Sequence, residues 1–241
     1  MSEVITGDEK MLRDYGLEVS GSCLPAEQVG GDFFEFISCG ERTVFAVIGD
    51  VMGKGLHAAR LTEIIRDVLR ECIRVNPHPL EVVSRLNKVG GHELRKCGAF
   101  ATLCLLCYDG VSGRLSCVNA GHHPPLLLSG GKVMVARCRG VALGLLDDFL
   151  GSGVEEFVLG PGDAVVLYTD GVVEACGPGE QRYGLERLKE LVNLQDGADA
   201  DRIKQNILSD LEAFTRGYPQ KDDITLVVMR VTGKAGERRG N

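Results

Sequence analysis

The order of its apolar segments is the feature that most constrains the fold of this 241-residue chain. Short segments rich in Val, Ile, Leu and Phe predict strands, and longer segments whose apolar residues recur every three or four positions predict helices. Strands are predicted at 17–23, 33–38, 43–48, 100–108, 115–119, 125–128, 133–137, 155–159, 164–168 and 224–231. Helices are predicted at 57–75, from 79 onward, at 185–193 and at 200–216. Strands therefore come in groups and do not alternate with helices, which argues against a doubly wound parallel sheet.

The connections between the predicted strands favour antiparallel pairing. Asp109-Gly110 and Gly130-Gly131 are typical of hairpin turns. The 32 glycines, a high share for a chain of this length, fit a fold with many turns. No internal repeat or Pro/Ser-rich linker divides the chain. We therefore predict one α+β domain with two antiparallel sheets and helices packed outside them.

Composition excludes several classes of function. The formal net charge of −7 argues against a nucleic-acid partner or an anionic membrane partner. No apolar run approaches the roughly 18 residues that a membrane span needs, and the charged N-terminus lacks a signal-peptide core. We therefore expect a cytoplasmic protein without a membrane partner.

The nine cysteines predict free thiols in a reducing compartment, because most of them lie in apolar segments. Cys104 and Cys107 have zinc-like spacing but fall within one predicted strand. Residues three apart in a strand point to opposite faces, so these two thiols cannot share a metal ion.

Four aspartates lie where predicted strands begin or end, beside residues typical of turns: Asp32, Asp50, Asp170 and Asp222. Taken singly, each is explained most simply as a turn or cap residue. Taken together, four carboxylates at strand ends form an oxygen ligand set of the kind that Mg²⁺ and Mn²⁺ prefer. If the strand ends converge, a shared carboxylate such as Asp50 can bridge two such ions about 3.5–4 Å apart. Water between the ions then becomes the nucleophile. This suits the chain, because it has no nucleophilic serine in a Gly-x-Ser-x-Gly motif.

A family resemblance rests on five motifs in a fixed order. They are Val29-Gly30-Gly31-Asp32-Phe33, Gly49-Asp50-Val51-Met52-Gly53-Lys54-Gly55, Asn119-Ala120-Gly121-His122-His123-Pro124-Pro125, Leu167-Tyr168-Thr169-Asp170-Gly171 and Asp222-Asp223-Ile224-Thr225. With them the chain resembles the bacterial branch of the PP2C-type (PPM) metal-dependent protein serine/threonine phosphatases, which includes sporulation and stress-response phosphatases. The match spans 16–231 and predicts a phosphatase domain there, with 1–15 as an N-terminal extension and 232–241 as a disordered tail.

The resemblance implies an α-β-β-α sandwich with two Mn²⁺ or Mg²⁺ ions in a cleft at one edge. Asp50 would bridge the ions, and the backbone carbonyl of Val51 would complete one coordination sphere. Asp170 and Asp222 would hold one ion, and Asp32 would serve the other directly or through water. Asp50 and Asp170 are thereby the predicted catalytic residues.

Two points of the implied site stay open. Asp223 is a rival of Asp222, although the family motif places the ligand first in the pair. Eukaryotic members of the family grip phosphate with an N-terminal arginine that has no match in this sequence.

The resemblance also implies a substrate class. It predicts hydrolysis of phosphoserine or phosphothreonine on a regulatory partner protein. Since the first motif lies within the first 32 residues, we expect a stand-alone enzyme similar to stressosome feedback phosphatases of the RsbX type. Its partners would be phosphorylated STAS-domain proteins. The alternatives are a phosphatase of an anti-sigma-factor antagonist in another pathway, and a catalytically inactive module that binds phosphoproteins.

Three weaker signals complete the sequence-based predictions. His122 and His123 fit a structural turn better than acid/base catalysis. Arg66, Arg70 and Arg74 share one helix face and each follows an acid by three residues, which predicts a self-paired, solvated face and not a phosphoprotein-binding one. The segment 171–183 is either a plain loop or an element that gates the cleft.

Overall fold

The computed structural model describes residues 9–233, with side chains from residue 12 onward. Residues 1–8 of the predicted extension and 234–241 of the predicted tail lie outside the described residues. The rest of the extension holds a short helix, α1 (Glu9–Asp14), followed by a turn. Leu12 and Tyr15 of this segment are buried in the core between the two sheets.

Two antiparallel sheets of five strands each form the centre of the described chain. Sheet 1 has the strand order β1 (Leu17–Leu24), β10 (Ile224–Val231), β9 (Ala164–Tyr168), β6 (Leu126–Ser129) and β7 (Lys132–Val135). Sheet 2 has the order β2 (Asp32–Cys39), β3 (Thr43–Val51), β4 (Ala101–Asp109), β5 (Arg114–Ala120) and β8 (Glu155–Val158). Every named pairing within the sheets is antiparallel, as the hairpin turns predicted.

Helices cover the outer face of each sheet. The helices α2 (Gly55–Val75) and α3 (Pro79–Lys96) pack on sheet 2, and their apolar stripes share one core cluster with its strands. The helices α5 (Leu185–Asn193) and α6 (Ala200–Thr215) pack on sheet 1 in the same way. A third cluster fills the space between the sheets. The predicted α-β-β-α sandwich is confirmed.

Alternation along the strands decides which core each residue enters. Cys104 lies in the cluster between the sheets, whereas Cys107, three residues later, packs against the cluster under α2 and α3. The prediction that these two thiols point to opposite faces is therefore confirmed. All nine cysteines are free.

Local structure departs from the sequence-based predictions at a few places. The helix α3 continues through Gly90 and Gly91, and a Cβ atom at Gly90 would lie 2.8 Å from Cδ1 of Ile65, so the glycine allows close packing on α2. A four-residue helix, α4 (Asp170–Val173), and a 3-10 turn (Pro178–Glu180) were not predicted. Within residues 9–233, helix length and hydropathy fall short of what a membrane-spanning helix needs.

A buried carboxylate fixes α2 on sheet 2. Glu35 in β2 is 2 % exposed and accepts hydrogen bonds from Nε of Arg70 at 2.6 Å and Nε of Arg66 at 3.2 Å. Arg66 and Arg70 also pair with Glu63 and Asp67 of their own helix. The predicted self-paired arginine face is confirmed, but its anchoring to sheet 2 was not anticipated. This anchor bears on the predicted metal site, because α2 begins four residues after the predicted ligand Val51.

We expect Glu35→Ala to lower the free energy of unfolding by about 3 kcal/mol, because it leaves two arginines against a buried position without their acceptor. The matched control is Glu63→Ala, which removes the 62 % exposed partner of the same Arg66 and should cost under about 1 kcal/mol. Urea denaturation of both variants measures the difference. Equal losses would show that Glu35 does not anchor α2.

Candidate metal and phosphoryl-transfer site

The first pair of predicted ligands lies at one end of sheet 2. Asp32 opens β2 and Asp50 lies near the end of β3, and the two residues are direct partners in the antiparallel register. Directly opposed residues project to the same face of a sheet, so both carboxylates point to one side. The register therefore brings together two aspartates that are 18 positions apart in the sequence.

The second pair lies at the end of sheet 1. Asp170 follows β9 and begins α4, while Asp222 lies two residues before β10. The strands β9 and β10 are neighbours, with Tyr168 opposite Leu226, so both aspartates fall at the same end of the sheet.

The two pairs meet where the sheets stack. Oγ1 of Thr169, next to Asp170, donates a hydrogen bond of 2.8 Å to Oδ2 of Asp32 across the two sheets. The charges of Asp170 and Asp222 both act on Asp50. The structure thus brings Asp32, Asp50, Asp170 and Asp222 to one edge of the sandwich.

Burial and mutual repulsion raise the pKa values of three of these carboxyl groups. The pKa of Asp32 rises to about 8, first through burial and then through the charge of Asp50. That of Asp50 rises to about 7, through burial and the charges of Asp170 and Asp222. The pKa of Asp170 also rises, through burial and Asp222. Such a cluster of carboxylates gains stability when a cation neutralises it.

Asp223 has a different environment from Asp222. Its Oδ1 accepts a hydrogen bond from the backbone N–H of Ala26 at 2.8 Å, and its Oδ2 accepts those of Gly31 at 2.9 Å and Asp32 at 3.4 Å. The residue is 5 % exposed. Both oxygens are therefore engaged by the chain that leads into β2.

Two glycines let this chain approach so closely. A Cβ atom at Gly30 would lie 1.7 Å from Oδ2 of Asp223, and one at Gly31 would lie 2.2 Å from the carbonyl oxygen of Val51. The N–H of Val51 in turn donates to the carbonyl of Gly31 at 3.1 Å. The glycine pair thus keeps the Val51 carbonyl, a predicted ligand, clear of side-chain atoms.

The chemical types of the donor atoms fit a hard divalent cation. The donor set consists of carboxylate oxygens and one backbone carbonyl, the ligands that Mg²⁺ and Mn²⁺ prefer. Among the described residues, no three His, Cys, Asp or Glu side chains are grouped closely enough to hold a metal ion by themselves. Ions at this edge would therefore use the Val51 carbonyl and water beside the carboxylates.

The two histidines of the third motif differ in their surroundings. His122 is buried, its Nδ1 lies 2.7 Å from Oγ1 of Thr102, and the side chain of Asn119 bonds its backbone at 2.9 and 3.0 Å. The structural role predicted for His122 is confirmed. The ring of His123 packs at 5.6 Å from that of Tyr168, and its charge opposes part of the rise in the pKa of Asp170 that burial and Asp222 cause. His123 thus borders the site, which its position in a turn did not reveal.

A cavity of about 440 Å³ opens beside the carboxylates. Asp170 and Asp222 form its border with the site. Its other walls include Ala175, Cys176, Arg182, Leu208, Leu211, Thr215 and Tyr218. The space exceeds what a phosphate group alone requires, so it can hold neighbouring atoms of a substrate.

The segment after Asp170 forms one wall of this cavity. The N–H of Gly177 donates to the carbonyl of Gln181 at 2.9 Å, and that of Tyr183 donates to Ala175 at 2.9 Å. Arg182 pairs with Glu174 at 2.7 Å. The segment 171–183 is therefore held by hydrogen bonds and lines the cavity, and its gating of the cleft stays a prediction.

A family model described as Stage II sporulation protein E (SpoIIE) matches residues 40–232, most of the chain. The chain belongs to the SpoIIE family. This is the sporulation and stress-response branch of the PP2C-type phosphatases, a family of protein serine/threonine phosphatases, so the predicted resemblance is confirmed.

Two curated relatives are much longer than the aligned region. Protein IcfG of Synechocystis sp. is 30% identical over 235 residues, covering 85% of this chain and 36% of IcfG. Phosphoserine phosphatase RsbU of Bacillus subtilis is 27% identical over 225 residues, covering 92% of this chain and 65% of RsbU. The chain thus spans between about a third and two thirds of these relatives.

Solved structures share the fold. The RsbU and RsbW domains of Rv1364c from Mycobacterium tuberculosis superpose with a TM-score of 0.76 at 28% identity, covering 91% of this chain and 61% of that one. The SiaA-PP2C domain of Pseudomonas aeruginosa reaches 0.80 at 20% identity, covering 92% and 88%. RsbX in complex with magnesium reaches 0.65 at 14% identity, covering 89% and 95%.

The contrast between Asp222 and Asp223 yields a testable difference. We expect Asp223→Asn to lower the free energy of unfolding by about 2 kcal/mol, because an amide nitrogen would face backbone N–H donors. Asp222→Asn should change it by under about 1 kcal/mol, since its side chain is 53% exposed. Urea denaturation measures both values. A larger loss for Asp222→Asn would reverse the structural roles given to the two residues.

Proposed function

We propose that the chain is a cytoplasmic, metal-dependent phosphatase that hydrolyses phosphoserine or phosphothreonine on a regulatory partner protein. The observation that carries this proposal is the convergence of Asp32, Asp50, Asp170 and Asp222 from both sheets at one edge. Free thiols at all nine cysteines support residence in a reducing compartment.

The proposed ligands divide between two Mn²⁺ or Mg²⁺ ions as follows. Asp50 would be shared by both ions, Asp170 and Asp222 would hold one, Asp32 would serve the other directly or through water, and the Val51 carbonyl would complete one coordination sphere. The magnesium in the RsbX structure supports a divalent ion in this fold. When bound, such ions supply an ionisable water and positive charge beside the phosphoryl oxygens.

The protein residues contribute orientation. Thr169 donates to Oδ2 of Asp32, which holds this carboxylate in place on the strand position opposite Asp50. Asp223 holds the backbone of Gly31 and Asp32, so the Val51 carbonyl and the two sheet 2 carboxylates keep one geometry. Asp50 and Asp170 are the proposed catalytic residues, because Asp50 would be shared by the two ions and the charge of Asp170 acts on Asp50 from the other sheet.

The identity of the substrate protein is a separate proposal. We propose phosphorylated STAS-domain proteins of a stressosome-type pathway as partners. Support comes from the stress-response relatives and from a structural match of TM-score 0.63 to a protein described with the bacterial stressosome. A phosphatase for an anti-sigma-factor antagonist in another pathway is the alternative enzyme. A phosphoprotein-binding module without turnover is the alternative outside enzymes, and retention of all four aspartates counts against it.

The decisive experiment is Mn²⁺-dependent phosphate release from a phosphoserine STAS protein. We expect the wild type to turn over and Asp50→Asn to lose about a hundredfold or more in kcat, because this variant removes the shared charge. Glu63→Ala, which removes an exposed carboxylate that is not among the proposed ligands, is the control for surface charge. Binding of the phosphoprotein without release under any divalent ion would favour the binding module.

The cavity beside Asp170 and Asp222 offers space for the parts of a protein substrate that lie next to the phosphate. An apolar floor that includes Leu208 and Leu211 lies next to the carboxylates. Residues that flank the phosphoserine can enter this space while the phosphate lies at the site. The same walls give the enzyme a means to choose among phosphoproteins.

We expect Ala175→Trp, which fills the cavity, to lower kcat/KM for the phosphoprotein about tenfold more than for p-nitrophenyl phosphate. Ala213→Trp is the matched control, because Ala213 is exposed on α6 and lies outside the walls of this cavity. Steady-state kinetics with both substrates measure the ratio. An equal loss of kcat/KM for the two substrates would mean that the residues flanking the phosphoserine do not enter this cavity.

A further inference from the structure

Lys54 lies at the mouth of the site, between the two sheets. It precedes Gly55, the first residue of α2, and is partly exposed. Its Nζ donates to the carbonyl of Lys221 at 2.5 Å and lies 3.3 Å from Oδ1 of Asp222. An ammonium group from the β3–α2 loop therefore reaches across to the segment that leads into β10.

The loop around Lys54 is tied to the backbone of the site. The N–H of Met52 donates to the carbonyl of Phe100 at 3.0 Å, and that of Gly55 donates to Val29 at 3.2 Å. Val29 immediately precedes the Gly30-Gly31 pair. The same short loop thus carries the Val51 carbonyl and the Lys54 ammonium, three positions apart.

Other basic side chains near this edge are engaged elsewhere. Arg182 pairs with Glu174 at 2.7 Å, and Arg66 and Arg70 pair with Glu35. Nζ of Lys221 lies on the cavity side, 3.8 Å from Sγ of Cys176. Lys54 differs from them because its charge acts directly on Asp50, the proposed bridging ligand.

We propose that Lys54 binds the phosphate of the substrate, the role for which the sequence offered no N-terminal arginine. This inference rests on the proposed function and assigns one more residue to the same site. A lysine ammonium is a compact charge with three donors, which suits a tetrahedral phosphate. An ion held by Asp222 would compete with Lys54 for this carboxylate, and the ammonium could then turn to the phosphoryl oxygens without leaving the site.

The test compares Lys54→Met and Lys54→Arg with the matched surface variant Lys88→Met. Lys88 also pairs with an exposed aspartate, Asp148, at 3.8 Å, but on α3 away from the site. The probe is inorganic phosphate, titrated calorimetrically into each Mn²⁺-loaded protein and measured as a competitive inhibitor of p-nitrophenyl phosphate hydrolysis. Mn²⁺ affinity is measured separately on each protein.

We expect Lys54→Met to weaken phosphate binding and to raise KM by about tenfold, with Mn²⁺ affinity changed less than about threefold. Lys54→Arg should recover most of the phosphate affinity, and Lys88→Met should match the wild type. Unchanged phosphate affinity in Lys54→Met overturns the proposal. So does a loss of Mn²⁺ affinity that accounts for the whole effect, since Lys54 would then only position Asp222.

The two proposals fail in different ways. If the wild type binds phosphate with Mn²⁺ but hydrolyses no phosphate ester, the phosphatase proposal fails while the calorimetric comparison still decides the role of Lys54. If the wild type hydrolyses the ester and Lys54→Met keeps its phosphate affinity, only the role of Lys54 fails. Lys54→Gln replaces Lys54→Met if circular dichroism detects misfolding of the latter.

Discussion

The carboxylate of Asp223 is the contact on which the site depends. Three backbone N–H groups converge on it, from Ala26 and Gly31 before β2 and from Asp32, the first residue of β2. Because Asp223 precedes β10 of sheet 1 and these donors lie at the start of β2 in sheet 2, this side chain joins the two sheets at the edge where the other aspartates lie. Hydrogen bonds to a buried charged group are among the stronger ones in proteins, so the edge is held before any ligand arrives.

That rigidity explains how the chain tolerates an unfavourable cluster of charges. Asp32 and Asp50 are direct neighbours across two strands, and Asp170 adds its charge from the other sheet. Burial and repulsion raise the pKa values of all three. The fold therefore holds the carboxylates together despite their mutual repulsion. The stability of the sandwich comes instead from three apolar clusters and from the buried Glu35 anchor. Stability and chemistry thus rest on different residues.

Much of this fold was predictable because its elements follow local rules. The helix 185–193 and the strand 224–231 were placed with their observed bounds, since apolar periodicity and flanking turns define them. The four aspartates could be selected because motif order reveals which strand ends meet. By contrast, Glu35 looked like an ordinary polar residue of an alternating strand, and its two arginines looked satisfied within α2. Asp223 and His123 were likewise undervalued, because their roles depend on contacts between segments that are distant in sequence.

Asp222 and Asp223 illustrate why neighbouring identical residues take opposite roles. At the start of β10 the chain turns, so one carboxylate points into the sandwich and the other toward solvent. The inward one meets backbone donors, which fix it and satisfy both oxygens. The outward one pairs with Lys54, and its charge raises the pKa values of Asp50 and Asp170. A ligand-binding carboxylate must be able to give up a weak partner for a cation, and an exposed ion pair is such a partner because its net stabilisation is small. The exposed pair at Asp222 therefore suits a residue that changes partners during function, whereas Asp223 suits one that does not.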